Sequence, residues 1–235
     1  MLVSENKIFV AGATGAVGRF LCPLLVNAGY RVYGMTRKQE KSEFLQSLDV
    51  EPVIADVYDG AKLSEIMQQI KPSLVLHQLT DLPYGVPEKL MVQGRIDNEK
   101  IRDIGTRNLV ISSLEAGVER IIAQSICFMY DAGSKPIAES SRLASENLQK
   151  FENQILSADL EGTVLRYGVF YGPHTGVEVP VRKCSVHVHA AAYAGLLAVT
   201  RGKGGVFNIA EDDGEVSIKK ATEELAWDPN FRVIP

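Results

Sequence analysis

The stretch VAGATGAVG (Val10–Gly18) sets the frame for the rest of the chain. Gly12, Gly15 and Gly18 recur at every third position, after the β-rich run KIFVAGA and before a helical run from about Ala16 to Asn27. A strand, a glycine turn and a helix in this order need glycine for separate reasons: a tight turn, close approach of backbone to a pyrophosphate, and close packing of helix on strand. The N–H groups at the helix start, aided by the helix dipole, favour the phosphate charge. The motif therefore implies a dinucleotide held by Gly12, Thr14, Gly15, Ala16, Val17 and Gly18. A P-loop is excluded, because Arg19 and Phe20 follow the last glycine where Lys and Ser or Thr would be required.

Outward from this turn, strand and helix alternate. RVYGMTR, EPVIADV, SLVLHQL, RIIAQSICF and TVLRYGVFYG read as strands, separated by the helices SEFLQSL, AKLSEIMQQI, a long one from about Asn98 to Ala116, and SSRLASENLQKFE at 140–152. Repeated βα units with right-handed crossovers predict an α/β fold, a doubly wound parallel sheet of the Rossmann type. Gly29 is placed to end the first helix, and Pro23 inside that helix predicts a kink. Ser140 or Ser141 is the expected cap of the helix at 140–152, with Leu143, Leu148, Phe151 and Ile155 forming its apolar face. The Pro- and Gly-bearing stretch from Asp81 to Asp97 reads as a loop, as does YGPHTGVEVP. An Ala-rich helix at about 190–199, a strand GVFNIAE and a last helix at about 217–225 complete the chain. The expected division is a dinucleotide-binding domain over 1–170 and a small C-terminal cap over 171–235 within the same globule.

Composition narrows the partners. With 235 residues, 46% of them hydrophobic, the chain can bury a full core. A net charge of −4 gives no basic footprint for nucleic acid. No window approaches a membrane span, and the start of the chain has no apolar run before a small-residue cleavage site, so a cytoplasmic setting is expected. Cys22, Cys127 and Cys184 are widely spaced, read as small core residues, and with the histidines suggest no metal site.

The carboxyl ends of the strands then bear on which dinucleotide. Sites for NAD usually carry an acidic residue after the second strand, whereas this chain has Arg37 and Lys38. An arginine there pairs with a 2′-phosphate, so NADP is the expected cofactor, with NAD as the alternative; a solvated approach to the next helix is the other use of the two cations. Asp56 either receives the adenine amino group or caps the following helix. Val57, Leu79 and Ser125 join the cofactor set, because open α/β sheets bind ligands beyond the carboxyl ends of their strands.

GATGAVGRFL, ADVYD, GTRNL (Gly105–Leu109) and LRYGVFYGP, in this order, resemble the short-chain dehydrogenase/reductase superfamily, and within it the extended branch of NAD-dependent epimerases and dehydratases. The resemblance covers about three quarters of the chain. It implies a substrate cleft above the strand ends, a catalytic Ser or Thr after the fifth strand, a Tyr-x-x-x-Lys pair on the next helix, and often a dimer through the fourth and fifth helices. Here the pair is missing. One alignment puts Arg142 and Glu146 at its positions, and the other, anchored on Glu152, puts Ala144 and Leu148 there; Ile126 stands where the serine belongs. Tyr130, then Ser125 and Tyr171, are the substitute catalytic candidates, with Tyr167, His174 and His77 also near strand ends. Only about a dozen residues separate Gly172 from His187, where extended members carry a longer substrate-covering insertion. The expected function is an oxidoreductase or epimerase/dehydratase-like protein for a small ligand. The alternatives are a non-catalytic redox sensor or partner-binding module, and a quinone or flavin reductase that needs no tyrosine acid.

Overall fold

The structure is a computed structural model that describes residues 6–85, 87–201 and 204–233. Seven strands form one sheet in the order β3-β2-β1-β4-β5-β6-β9, with every neighbouring pair parallel. They are β1 (Lys7–Ala11), β2 (Arg31–Thr36), β3 (Glu51–Ile54), β4 (Leu74–His77), β5 (Arg120–Ile126), β6 (Glu161–Tyr167) and β9 (Gly205–Ile209). The short strands β7 (Val169–Tyr171) and β8 (Ser185–His187) pair separately. Because the sheet is covered on both faces, its central strands read as continuous apolar runs rather than alternations.

The two faces bury different helices. On one side α1 (Gly18–Asn27), α2 (Ser42–Gln46), α7 (Val188–Arg201) and α8 (Lys219–Glu224) close a core around Leu21, Leu25, Leu45 and Phe207. On the other, α3 (Gly60–Ile70), α5 (Thr106–Glu115) and α6 (Glu146–Leu156) close a core around Phe9, Val75, Ile121 and Phe151, and α4 (Glu88–Lys100) buries Gly94 and Asn98. Each fully buried Leu, Ile or Phe contributes about 1.5–3 kcal/mol. This doubly wound arrangement is the one expected from the alternation.

Pro23 lies inside α1, and Gly29 follows the helix with φ +88°, both where the sequence places them. Several other boundaries differ from the expected ones. The expected loop over 81–97 contains most of α4, which Pro87 opens and Gly94 permits: a Cβ at Gly94 would come within 2.6 Å of Pro83 Cδ. Close docking of the loop onto the helix thus explains a glycine that looked like a breaker. A π-helical turn, Ile101–Gly105, joins α4 to α5. The helix expected over 140–152 begins at Glu146 instead, capped by Ser145 rather than Ser140 or Ser141; Ser145 Oγ accepts from the Leu148 N–H at 3.2 Å. TVLRYGVFYG is two strands, interrupted at Gly168, whose Cβ would meet Cys184 O at 2.6 Å. Beyond residue 171, β9 continues the main sheet beside β6.

Candidate cofactor and substrate site

Parallel strands place every βα turn at one edge of the sheet. Gly12 has φ +94°, and a Cβ there would sit 2.6 Å from Gln78 O at the end of β4. At Gly18 it would meet Gly12 O at 2.3 Å, so this glycine lets α1 press on the turn. Gly15 is different: it is exposed, and its Cβ would meet only Gly12 O, at 3.2 Å. Gly12 and Gly18 therefore shape the cradle, and Gly15 leaves it open. The first turn of α1 has no side-chain cap and no acidic residue, so no carboxylate competes there for an outside anion, although the Arg19, Phe20 and Leu21 N–H groups already donate to the carbonyls of Gly15 and Val17. Thr14 and Ala16 are half-buried in the turn, and Val17 is buried beneath it. This cradle fits a dinucleotide pyrophosphate.

Along the rest of the edge, the other expected contacts have partners within the chain. Arg37 Nη2 donates to Asp81 Oδ1 at 3.1 Å, and Lys38 Nζ lies 3.8 Å from Glu40 Oε1. Asp56 Oδ1 accepts the Tyr58 N–H at 3.0 Å, while Asp59 caps α3 by accepting from the Lys62 N–H at 3.0 Å. The cap expected at Asp56 is thus Asp59. Val57 is buried against Gly105, and its carbonyl accepts from Asn108 Nδ2 at 2.8 Å. Leu79 borders the cradle through its backbone: its N atom is 3.1 Å from a Cβ built on Gly12.

The neighbouring strands β5, β6 and β9 line up Ser125, Arg166 and Asn208 in register, on the face covered by α6. All three are buried, as is Glu152 from the inner face of α6. Arg166 donates to both Glu152 oxygens, with Nη2 to Oε2 at 2.6 Å, and Ser125 Oγ donates to Oε1 at 2.6 Å. Arg166 Nη1 also donates to the Tyr130 hydroxyl at 2.7 Å and the Glu139 carbonyl at 2.9 Å. Tyr130 in turn donates to Asn208 Oδ1 at 2.6 Å. The candidate acids Tyr130 and Ser125 are therefore spent inside the protein. Burial, outweighing the nearby arginine, pushes the Tyr130 phenol up to about 12, away from easy ionisation. Tyr171 is likewise committed: it donates to Glu211 and accepts from Arg232 Nη2 at 3.1 Å. Sequence reading missed Arg166 and Asn208 and used Glu152 only to align the helix, although an arginine inside the buried run TVLRYG demands a buried partner.

Two histidine environments flank the edge. At the end of β4, His77 Nδ1 accepts the Leu79 N–H at 3.3 Å, so its Nε2–H donates to Thr106 Oγ1 at 2.9 Å, and that hydroxyl donates to Ile101 O at 3.3 Å across the π turn. Burial, assisted by Arg102, lowers the imidazole to about 4, and the ring stays neutral. On the α1 side, rings run from Phe20 to His189 (4.4 Å between centroids), His187 (4.7 Å) and Tyr171 (5.1 Å). His187 and His189 share a cluster although one ends a strand and the other starts a helix; Val233 N donates to His189 Nδ1 at 3.1 Å. His174, 6.0 Å from Phe20 between ring centroids, has φ +63°. Tyr167 is buried in the core and donates to Ala191 O at 3.2 Å.

The chain is similar to several known proteins. The model of the NAD dependent epimerase/dehydratase family matches residues 8–205. A 3-diazoavenalumate denitrifying reductase from a Streptomyces species is 28% identical over 233 residues, which cover 93% of this chain and 72% of that protein. A UDP-glucose 4-epimerase from Rhizobium meliloti is 27% identical over 177 residues, 70% of this chain and 52% of that one. Among solved structures, UDP-glucose 4-epimerase from Bifidobacterium longum in complex with NAD+ and UDP superposes with a TM-score of 0.76 at 16% identity, over 96% of this chain and 94% of that chain. The expectation of NADP is corrected: the matching family is NAD dependent, and the similar structures solved with a dinucleotide hold NAD. The physical reason lies at Arg37 and Lys38, whose charges are answered by Asp81 and Glu40.

Proposed function

The chain belongs to the NAD dependent epimerase/dehydratase family, and from that premise we propose that it is an NAD-dependent oxidoreductase for a small electrophile of the diazo type. The register of α6 carries this reading. Glu152 is tied to Arg166, which favours the alignment in which Ala144 and Leu148 stand where the family resemblance calls for tyrosine and lysine. Leu148 is buried in the core, and Ala144 lies before the helix.

Bound NADH would supply the hydride. Gly12, Gly15 and the first turn of α1 would hold its pyrophosphate, and Leu79 would border it. A carbonyl that accepts hydride becomes an alkoxide and needs a proton, the task of a general acid. A diazonium carbon that accepts hydride expels dinitrogen with the carbon–nitrogen bonding pair, and no oxygen anion is left to protonate. The relative named for denitrifying reduction of a diazo compound matches 93% of the chain, which supports this class. The short crossing from Gly172 to His187 suits a small substrate better than a sugar nucleotide.

The test is NADH oxidation with a simple aryl diazonium salt, with Gly12→Val as the background control and circular dichroism to verify its fold. Wild-type turnover should exceed the control at least about tenfold, a barrier difference of about 1.4 kcal/mol. Epimerisation of UDP-glucose, with diazonium loss equal to the control, would replace this reading by the chemistry of the epimerase relatives. Binding of NAD without turnover of either would assign a non-catalytic module.

We also propose a homodimer through α5 and α6. Ile111, Leu114 and Leu156 are exposed there beside a groove of about 570 Å³. Sedimentation should give a dimer that Ile111→Glu dissociates.

A further inference from the structure

We propose that Cys127 and Cys184 form a reversible intramolecular disulfide that ties the end of β5 to the entry of β8. Both side chains are buried, at 1% and 0% exposure, and their sulfurs face each other at 2.6 Å. A disulfide needs about 2.05 Å, so closure asks for roughly half an ångström of movement.

The surrounding backbone already holds the two thiols together. Cys127 N donates to Tyr167 O at 3.0 Å, and Cys184 O accepts from Val169 N at 2.9 Å, so both cysteines are pinned to consecutive parts of the β6–β7 segment. Asp213 Oδ2 accepts the Cys184 N–H at 2.7 Å and holds Cys184 at φ +58°. Beside this pair, the Arg182 guanidinium lies over the Phe128 ring at 5.4 Å, a second contact between the same two segments. The third cysteine, Cys22, is on α1 and has no such partner among the described residues.

The oxidant is a small disulfide such as oxidised glutathione. One protein thiolate attacks it and releases one glutathione thiol; the second protein thiolate then displaces the other glutathione. Two thiol protons end on two glutathione molecules, the protein pair loses two electrons, and one sulfur–sulfur bond replaces another. Burial raises the Cys127 thiol well above its usual range, so exchange is slow in the closed fold and faster during opening.

Bond formation would fasten the segment between Gly172 and Cys184, which carries His174 and leads into the ring cluster around His187. This inference is independent of the substrate proposed above. The experiment refolds the full chain slowly from urea in a glutathione buffer rich in the oxidised form, traps free thiols with an alkylating agent, and measures intact mass and non-reduced peptides. The expected product has lost two hydrogens, carries one trapped thiol at Cys22, contains a linked 127–184 peptide pair, and is cut several-fold more slowly by protease between 172 and 184. Reduction should reverse all of these. Three trapped thiols after oxidation, glutathione adducts in place of the link, or a link involving Cys22 would overturn the proposal. The readout uses the unaltered chain, so it does not depend on a variant that fails to fold.

Discussion

The glycine turn and the β5–β6–β9 row lie along the same edge of one sheet and have opposite characters. In the turn, backbone N–H groups at the start of α1 are left without side-chain caps, and Gly15 keeps the approach clear. In the row, Ser125, Arg166, Glu152, Tyr130 and Asn208 answer one another inside the protein. One end of the edge is left open and uncapped by side chains, and the other has turned its polar groups into structure. The contrast teaches that one fold can keep a backbone cradle and a side-chain network apart: the first depends on glycine and the chain's own N–H groups, the second on side chains that can be replaced.

The largest expected effect falls on the open end. Gly12→Val puts a side chain into Gln78 O and forces a β-branched residue to positive φ. NAD affinity, measured by calorimetric titration, should fall by more than about 100-fold, the equivalent of losing several charge-assisted hydrogen bonds. Unchanged affinity would remove the cofactor from this turn and break the comparison outright.

At the sealed end, Glu152→Gln leaves Arg166 buried without its anion, and urea unfolding should show a loss of about 3–5 kcal/mol. Pairing it with Arg166→Met should recover much of that loss. A single-variant cost below about 1 kcal/mol, the range of exposed pairs, would mean that the row is not a structural lock.

His77 sits between the two ends. Its folded value, about 4, lies below the usual 6.5, so the unfolded chain binds the proton first. Its contribution is full above pH 6.5 and is lost as the pH falls toward 4, to a limit of about 3 kcal/mol. The variant His77→Asn should flatten the decline of stability across that window relative to wild type. An equal slope in both proteins would show that His77 does not control it.

The smallest effect expected on turnover sharpens the comparison most. Tyr130→Phe should cost about 1–2 kcal/mol of stability, because Arg166 and Asn208 each lose a partner. Its turnover number should stay within about twofold. A fall of 10²- to 10⁴-fold, the range for a missing general acid, would restore Tyr130 to the chemistry.

How much of this was readable beforehand varies with the kind of signal. The strand–glycine–helix order at Val10–Gly18 is local, so its reading needed only neighbours in sequence. The loop expected over 81–97 went wrong for the opposite reason. Gly94 looks like a breaker until Pro83 is seen packed against it. The cap moved from Ser140 or Ser141 to Ser145 because Leu143 bridges to Tyr130 outside the helix, a pairing that no helical period reveals. Arg37 and Lys38 suggested a 2′-phosphate only while Asp81, 44 residues from Arg37, was out of view.

The sequence by itself determined the alternation of strands and helices, the glycine cradle and the absence of the Tyr-x-x-x-Lys pair from the helix after β5, because each depends on residue type and short spacing. Tertiary structure alone decided which polar groups remain free. Ser125, Tyr130 and Tyr171 looked available at strand ends, yet partners 27, 78 and 40 residues away, Glu152, Asn208 and Glu211, consume their hydroxyls. A buried polar group must find a partner, and the fold chooses which one.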